Sequence, residues 1–194
     1  MAVSYDPVNV LRDFADRRKI TFPLLSDEGS SVITRYGILN TTLEPTNEVY
    51  GIPFPGTFML DANGRVTSRF FESAYAERDT ISSVMARLGG PADTPGTTIS
   101  APHLRVAAYA TDQIVAPGTH FSLVLDVTPD PHVHVYAPGV AQYKAIALRV
   151  TPKPALLLKG TQFTKPEDYF FEPLNEHVPV YQKPFRIVQD VMFD

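Results

Sequence analysis

Residues 51–61, Gly-Ile-Pro-Phe-Pro-Gly-Thr-Phe-Met-Leu-Asp, constrain the fold of this chain more than any other stretch. They pack Pro53 and Pro55 into a short turn and run straight into an apolar strand, Thr57-Phe58-Met59-Leu60. Asn63-Gly64 and a second apolar run, residues 65–71, come next. Asn-Gly between two such runs predicts a hairpin on a type I′ turn, whose two central residues both need positive φ. A proline held against the start of a strand is costly unless something requires it. An X-Pro bond is also the one place where a cis peptide is cheap, and a cis proline is usually a deliberate feature of a tight turn.

The segments before this turn alternate between strand and helix. Ala2-Val3-Ser4-Tyr5 reads as the end of a strand. Asp6-Pro7 reads as a helix start, with Asp as the cap and Pro at the first helical position. Val8, Leu11, Phe14 and Ala15 form a stripe at helical spacing, with Asp13, Asp16, Arg17 and Arg18 outside it. Residues 20–25 are β-prone. Ser26-Asp27 caps a second, short helix with Val32, Ile33 and Tyr36 on its buried side, and Gly37 ends it. Residues 40–50 read as a loop. After the hairpin, residues 77–88 read as a helix, because Ile81, Val84, Met85 and Leu88 recur at i, i+3, i+4 and i+7.

Beyond residue 88 the pattern changes. Five of the eighteen prolines lie in residues 1–90 and thirteen after them. Residues 89–101 read as a linker of Gly, Pro and Thr. Helical periodicity is replaced by alternation at Leu104, Val106 and Ala108, and at Phe121, Leu123, Leu125 and Val127. Residues 132–136, 144–150 and 184–193 read as further strands, the last with Phe185, Ile187, Gln189, Val191 and Phe193 on one face. Short strands separated by Pro/Gly turns suggest a β-sandwich.

Composition excludes several functions. The net charge is −4 and evenly spread, so neither half offers a basic surface for nucleic acid. No apolar run approaches the ~18 residues needed to span a membrane, and no signal peptide is visible. The chain has no cysteine, which excludes disulfides, thiolate metal sites and a cysteine nucleophile within these residues.

Two resemblances follow from particular residues. Ser4-Tyr5-Asp6, Phe22-Pro23-Leu24-Leu25-Ser26-Asp27, Tyr36-Gly37 and Pro55-Gly56-Thr57-Phe58-Met59-Leu60-Asp61-Ala62-Asn63-Gly64, in that order, resemble the later part of the AhpC/TSA family of redoxins. These are peroxiredoxin-like proteins on a thioredoxin fold. The resemblance implies a cis Phe54–Pro55 bond, with Phe54, Pro55, Gly56 and Thr57 as the turn that positions a substrate's backbone. In that family the reactive cysteine lies earlier, where a helix N-terminus stabilises its thiolate. By the resemblance, the first βαβα portion is absent here, cysteine included. Val115-Ala116-Pro117-Gly118, His134-Val135-Tyr136-Ala137-Pro138-Gly139 and Val178-Pro179-Val180-Tyr181 are similar to the N-terminal immunoglobulin-like domain of DsbD. That family's cysteine pair follows a strand like residues 185–193, beyond Asp194, and its location leans toward the bacterial envelope.

The expected fold is therefore α/β thioredoxin-like, lacking its N-terminal βαβα, plus an all-β sandwich. The expected domains are residues 1–88 and 102–194, joined by the linker at 89–101. Other candidate sites carry blander readings. His132 and His134, two apart on a strand, place both rings on one face as a metal pair, but no third ligand is placed. Asp27-Glu28 and Glu167-Asp168 are adjacent carboxylates, not spaced acid/base pairs. Arg65 and Arg69 share a strand face and are expected to solvate it. Tyr169-Phe170-Phe171 with Pro173 is expected as a loop at the edge of the core. No serine-nucleophile or phosphate-loop motif occurs.

The expected function is that of a piece of a redoxin-type thiol oxidoreductase, inactive alone, with no metal or cofactor. Its expected partners are thioredoxin-like or other thiol proteins, and a half sheet is expected to self-associate through its exposed edge. The rival expectation is a cysteine-free binding or scaffold module with a degenerate redoxin half. A hydrolase or metal protein built on the histidines ranks third.

Overall fold

The computed structural model describes residues 1–72, 77–91 and 94–194. Ala92 and Asp93, within the expected linker, lie outside the described residues. The chain divides into two compact units, Met1–Glu77 and Arg78–Asp194, and it is a mixed α/β protein with many strands and few helices.

In the first unit the order is β1 (Ala2–Ser4), α1 (Val8–Arg18), β2 (Leu24–Ser26), α2 (Ser31–Arg35), β3 (Gly56–Leu60) and β4 (Val66–Phe71). β1 and β2 pair in parallel, with Val3 opposite Leu25. Parallel neighbours require a crossover, and α1 supplies it. Pro7, not Asp6, takes the N-cap position of α1, with extended ψ, and Leu11 N–H reaches Pro7 O at 3.1 Å. The Asp6 carboxylate is instead taken by Ser4 Oγ, while Ser26 Oγ donates to Asp6 O. Asp6 thereby ties the end of β1 to β2 rather than capping the helix. Of the expected stripe only Leu11 is fully buried; Val8 and Phe14 stay exposed. α2 is anchored as expected at Asp27. The helix carries Ile33 inward but leaves Val32 and Tyr36 exposed. Ile33 and Ile52 join Leu11 as the buried apolar side chains among the described residues of this unit.

The β3–β4 hairpin forms, but not on the expected turn. Only Gly64, at φ 76°, has positive φ in the loop, so Asn63 is not in a type I′ turn. Gly64 N–H bonds Asp61 O, and Asp61 N–H bonds Arg65 O. The Asp61 carboxylate accepts from both Asn63 N–H and Arg65 N–H at 2.9 Å. This is a three-residue loop with a left-handed glycine, and the aspartate selects it by satisfying two loop donors. Arg65 is thus drawn into the turn and does not share a strand with Arg69.

In the second unit the order is β5 (Arg78–Asp79), α3 (Ile81–Arg87), β6 (Thr97–Ala101), β7 (Leu104–Ala110), β8 (Thr119–Pro129), β9 (Val135–Tyr136), β10 (Leu156–Phe163), β11 (Glu167–Phe171), β12 (Glu176–Tyr181) and β13 (Phe185–Phe193). One sheet runs β10-β13-β8-β7-β6, with β5 joining β8 in parallel; a second runs β11-β12-β9. Their apolar residues share a core: Val127, Phe185 and Ile187 from the larger sheet, and Tyr181 from the smaller, with Ala137.

Several expectations are corrected here. The helix expected over residues 77–88 is shorter. It begins after Thr80, whose hydroxyl accepts Ser83 N–H at 3.0 Å, because Arg78–Asp79 is claimed by β8. It belongs to the second unit: Ala86 packs with Val124 and Val188, and Ser83 Oγ lies 2.7 Å from Ser122 Oγ. The end of the expected linker, Thr97–Ala101, is a strand paired with β7. Residues 144–150 form no strand, although Ile146 and Leu148 pack on the core and Ile146 N–H reaches Tyr136 O. Gln189 is buried among apolar neighbours on β13. The register shift of β10 between Leu158 and Thr161 turns Thr161 Oγ1 and Gly160 O toward its carboxamide, which also donates to Asp190 O.

Candidate functional site

The proline turn of the first unit is built from both sides. Residues 38–40 run antiparallel to residues 52–54: Asn40 N–H bonds Ile52 O, Leu39 bridges Pro53, and Phe54 N–H bonds Ile38 O at 2.7 Å. Gly51 opens the turn at φ 107°, a backbone region side chains avoid. A Cβ there would also lie 2.8 Å from Ser30 Oγ, the group that donates to Gly51 O. Pro55 O accepts Glu72 N–H, and Gly56 opens β3 opposite Phe71. A Cβ on Gly56 would sit 2.5 Å from Phe70 O and against the Phe71 ring. Gly56 and Thr57 remain exposed.

The Phe54–Pro55 bond is trans, as are all peptide bonds among the described residues. The cis expectation is corrected by the pairing on either side. Phe54 N–H is held by residues 38–40 and Pro55 O by Glu72, and an extended trans segment spans those two anchors without reversing direction.

An aromatic group stands beside this turn on β3 and β4. Tyr36 meets Phe58 edge-on at 5.7 Å, and Phe58 meets Phe71 at 4.7 Å. The Arg69 guanidinium lies 5.0 Å from the Phe71 ring centre and 5.9 Å from that of Phe58. Register explains this: Phe58 faces Arg69 and Gly56 faces Phe71, so all of them share one face. Arg69 is therefore a cation over aromatic faces and not merely a solvated charge.

The remaining candidates are dispersed. The Asp27 carboxylate accepts Val32 N–H at 3.0 Å, Ile33 N–H at 2.8 Å and Ser31 Oγ at 3.1 Å. The Val32 amide above all holds its pKa below the ordinary carboxylate value, against the opposing effect of burial. That is a capping role, as expected. Glu167 pairs with Lys183 and Asp168 with His177, on exposed side chains. His132 is not on a strand. It sits at φ 65° in the turn before β9, and the expected two-residue spacing along one face is lost.

His134 stacks on Tyr169 at 5.0 Å and meets Tyr136 edge-on. Tyr169-Phe170-Phe171 is a strand and not a loop, because β12 pairs with it residue for residue. Its alternation sends Tyr169 and Phe171 to the His134 side and Phe170 toward His177. Tyr136 also stacks on Tyr143 at 4.3 Å. The Tyr143 hydroxyl donates to Glu176 at 2.6 Å, and that bond pushes its pKa up to about 12. Sequence reading missed this pair. Residues 143 and 176 are remote in the chain, and only the closing of β9 on β12 brings them together.

What the first unit presents is a parallel β-α-β crossover followed by a hairpin, with an exposed Gly56-Thr57 main chain at the end of a proline turn. With no cysteine in the chain it supplies no thiolate of its own. Its class is that of a mixed α/β unit. Residues 1–69 match the model of the AhpC/TSA family, which supports a redoxin-family domain over that stretch and a thiol oxidoreductase kind of chemistry. No curated protein and no solved structure matches the chain.

Proposed function

We propose that this chain carries the substrate-side portion of a redoxin-type thiol oxidoreductase domain, followed by an immunoglobulin-like β-sandwich of the DsbD N-terminal kind. The observation that carries the reading is the AhpC/TSA match over residues 1–69, which ends within the hairpin that follows the proline turn. In this reading Phe54, Pro55, Gly56 and Thr57 position the backbone of a thiol-bearing partner. The attacking thiolate comes from outside these 194 residues. Both peroxide reduction and thiol–disulfide exchange start with a thiolate attacking oxygen or sulfur, so the chain by itself turns over neither.

The test is peroxide consumption with thioredoxin, its reductase and excess nicotinamide reductant, run with and without the purified chain. Identical rates are expected. Turnover above the background of the coupling proteins would overturn the reading.

A further inference from the structure

We propose that β6 is a self-association edge, and that two copies of this chain pair antiparallel across it about Ile99. This stands on the second unit alone and does not depend on the redoxin reading.

β6 ends its sheet, and among the described residues no strand lies on its outer side. All five of its residues, Thr97-Thr98-Ile99-Ser100-Ala101, are exposed. An open strand edge offers unpaired N–H and C=O groups, and proteins commonly blunt it with charges, proline or a bulge. β6 has none of these, and its pairing with β7 runs without a register shift from Thr97–Ala108 to Ala101–Leu104. The opposite edge of the same sheet is managed differently: β10 carries Lys159 and an irregularity between Leu158 and Thr161.

A second copy fits this edge better than an unrelated peptide. Peptide addition gains specificity from pockets for alternate side chains, and the short Thr, Ser and Ala side chains of β6 form none. A two-fold pairing centred on Ile99 places Ile99 against its counterpart, Thr98 against Ser100 and Thr97 against Ala101. No like charges meet. Ile99 pairs with Val106, which lies on the core-facing side of the sheet, yet Ile99 is 54% exposed. Pairing would cover the apolar margin where the core face runs out.

The pairing register makes the test specific. The full chain is examined by sedimentation velocity over a concentration series, expecting a reversible monomer–dimer equilibrium. Thr98 and Ser100 are exposed and face each other across the proposed two-fold, so each dimer contains that pair twice. T98E/S100E opposes like charges and T98K/S100E opposes unlike ones. The two dimer dissociation constants should differ by about tenfold or more, with the second the tighter. Because the chain has no cysteine, Ile99→Cys gives a single thiol at the symmetry axis. Mild oxidation should convert it to a covalent dimer faster than Val3→Cys on the β1 edge. A chain that stays monomeric at every concentration, charge variants that associate alike, or faster crosslinking at position 3 would each overturn the proposal.

Discussion

Replacing Arg186 by methionine should loosen α3 from its sheet by an amount that the geometry allows one to work out. α3 spans only Ile81–Arg87, far short of the ~12–15 residues at which a helix becomes marginally stable alone. Its persistence therefore depends on what holds it. At its N-terminus Thr80 caps Ser83. At its C-terminus Arg186 Nη1 donates to Gly90 O at 2.5 Å and to Ala86 O at 3.4 Å. The other edge of the same guanidinium makes a two-point bond to Asp126, at 2.6 Å from Nε and 2.8 Å from Nη2. The bond to Asp126 above all raises the Arg186 pKa still further, so the group is always charged.

Hydrogen bonds with a charged partner contribute about 1.5–3 kcal/mol where water is excluded. Here the Arg186 side chain is 18% exposed but Asp126 is 38% exposed. Water can rehydrate the carboxylate once the arginine is gone, which puts the pair near about 1 kcal/mol. The contacts to the end of α3 add roughly another 1 kcal/mol. Arg186→Met, which keeps the aliphatic stem, should thus cost about 2 kcal/mol in urea unfolding followed by circular dichroism. Amide exchange at residues 88–90 should accelerate more than exchange in β8. Arg186→Lys should recover only part of the loss, since an ammonium is a point charge and cannot bridge a carboxylate and two carbonyls as a planar fork does. A loss below about 0.5 kcal/mol would fall within the ordinary range for a surface substitution. That result, or full rescue by lysine, would refute the reasoning.

Two further predictions concern the first unit. Gly56→Ala should destabilise the hairpin by about 1–3 kcal/mol, because the added carbon meets Phe70 main chain as well as a ring that could swing aside; Gly64→Ala, where nothing is close but φ is 76°, should cost less, about 1 kcal/mol. A thermal melt of both variants with equal losses would count against the steric account. Asp27→Asn should lower the melting temperature at neutral pH, and the gap to the parent should close in acid. The folded-state pKa of Asp27 is depressed below its ordinary 3.8, so its stabilisation is full above that value and is lost as pH falls through the lower, folded one. A gap unchanged down to pH values well under 3.8 would show that the carboxylate's charge is not what holds α2.

Much of the first unit was legible in the chain because its determinants are local. Asp27 caps α2 from four to six residues away, and Asn63-Gly64 marks a reversal whichever turn type is adopted. What local reading missed was competition for the same groups. Asp6 is short and polar enough to cap α1, but the Ser4 hydroxyl engages its carboxylate first. Asp61 claims the amides of Asn63 and Arg65, and this converts a two-residue turn into a three-residue one. The candidate turn at Phe54, Pro55, Gly56 and Thr57 was found as a stretch of sequence. Its trans bond and its Arg69–Phe71 neighbour follow from pairing with residues 38–40 and with β4.

By itself, then, the sequence determined the presence of a proline turn leading into a hairpin, an all-strand pattern after residue 103, and the lack of any thiol. Periodicity and residue chemistry act within a few positions, so these needed no knowledge of the fold. Tertiary structure alone decided that α3 joins the strands after it, that residues 97–101 pair with β7 at the end of their sheet, and that Tyr169 and His134 stack. Each of those depends on contacts between residues far apart in the chain. The stripe read at Ile81, Val84, Met85 and Leu88 is not the side that α3 buries: Ile81, Met85 and Leu88 are exposed and Ser83 and Ala86 are buried, because Ser122, Val124 and Arg186 select that side by the polar and apolar surface they offer.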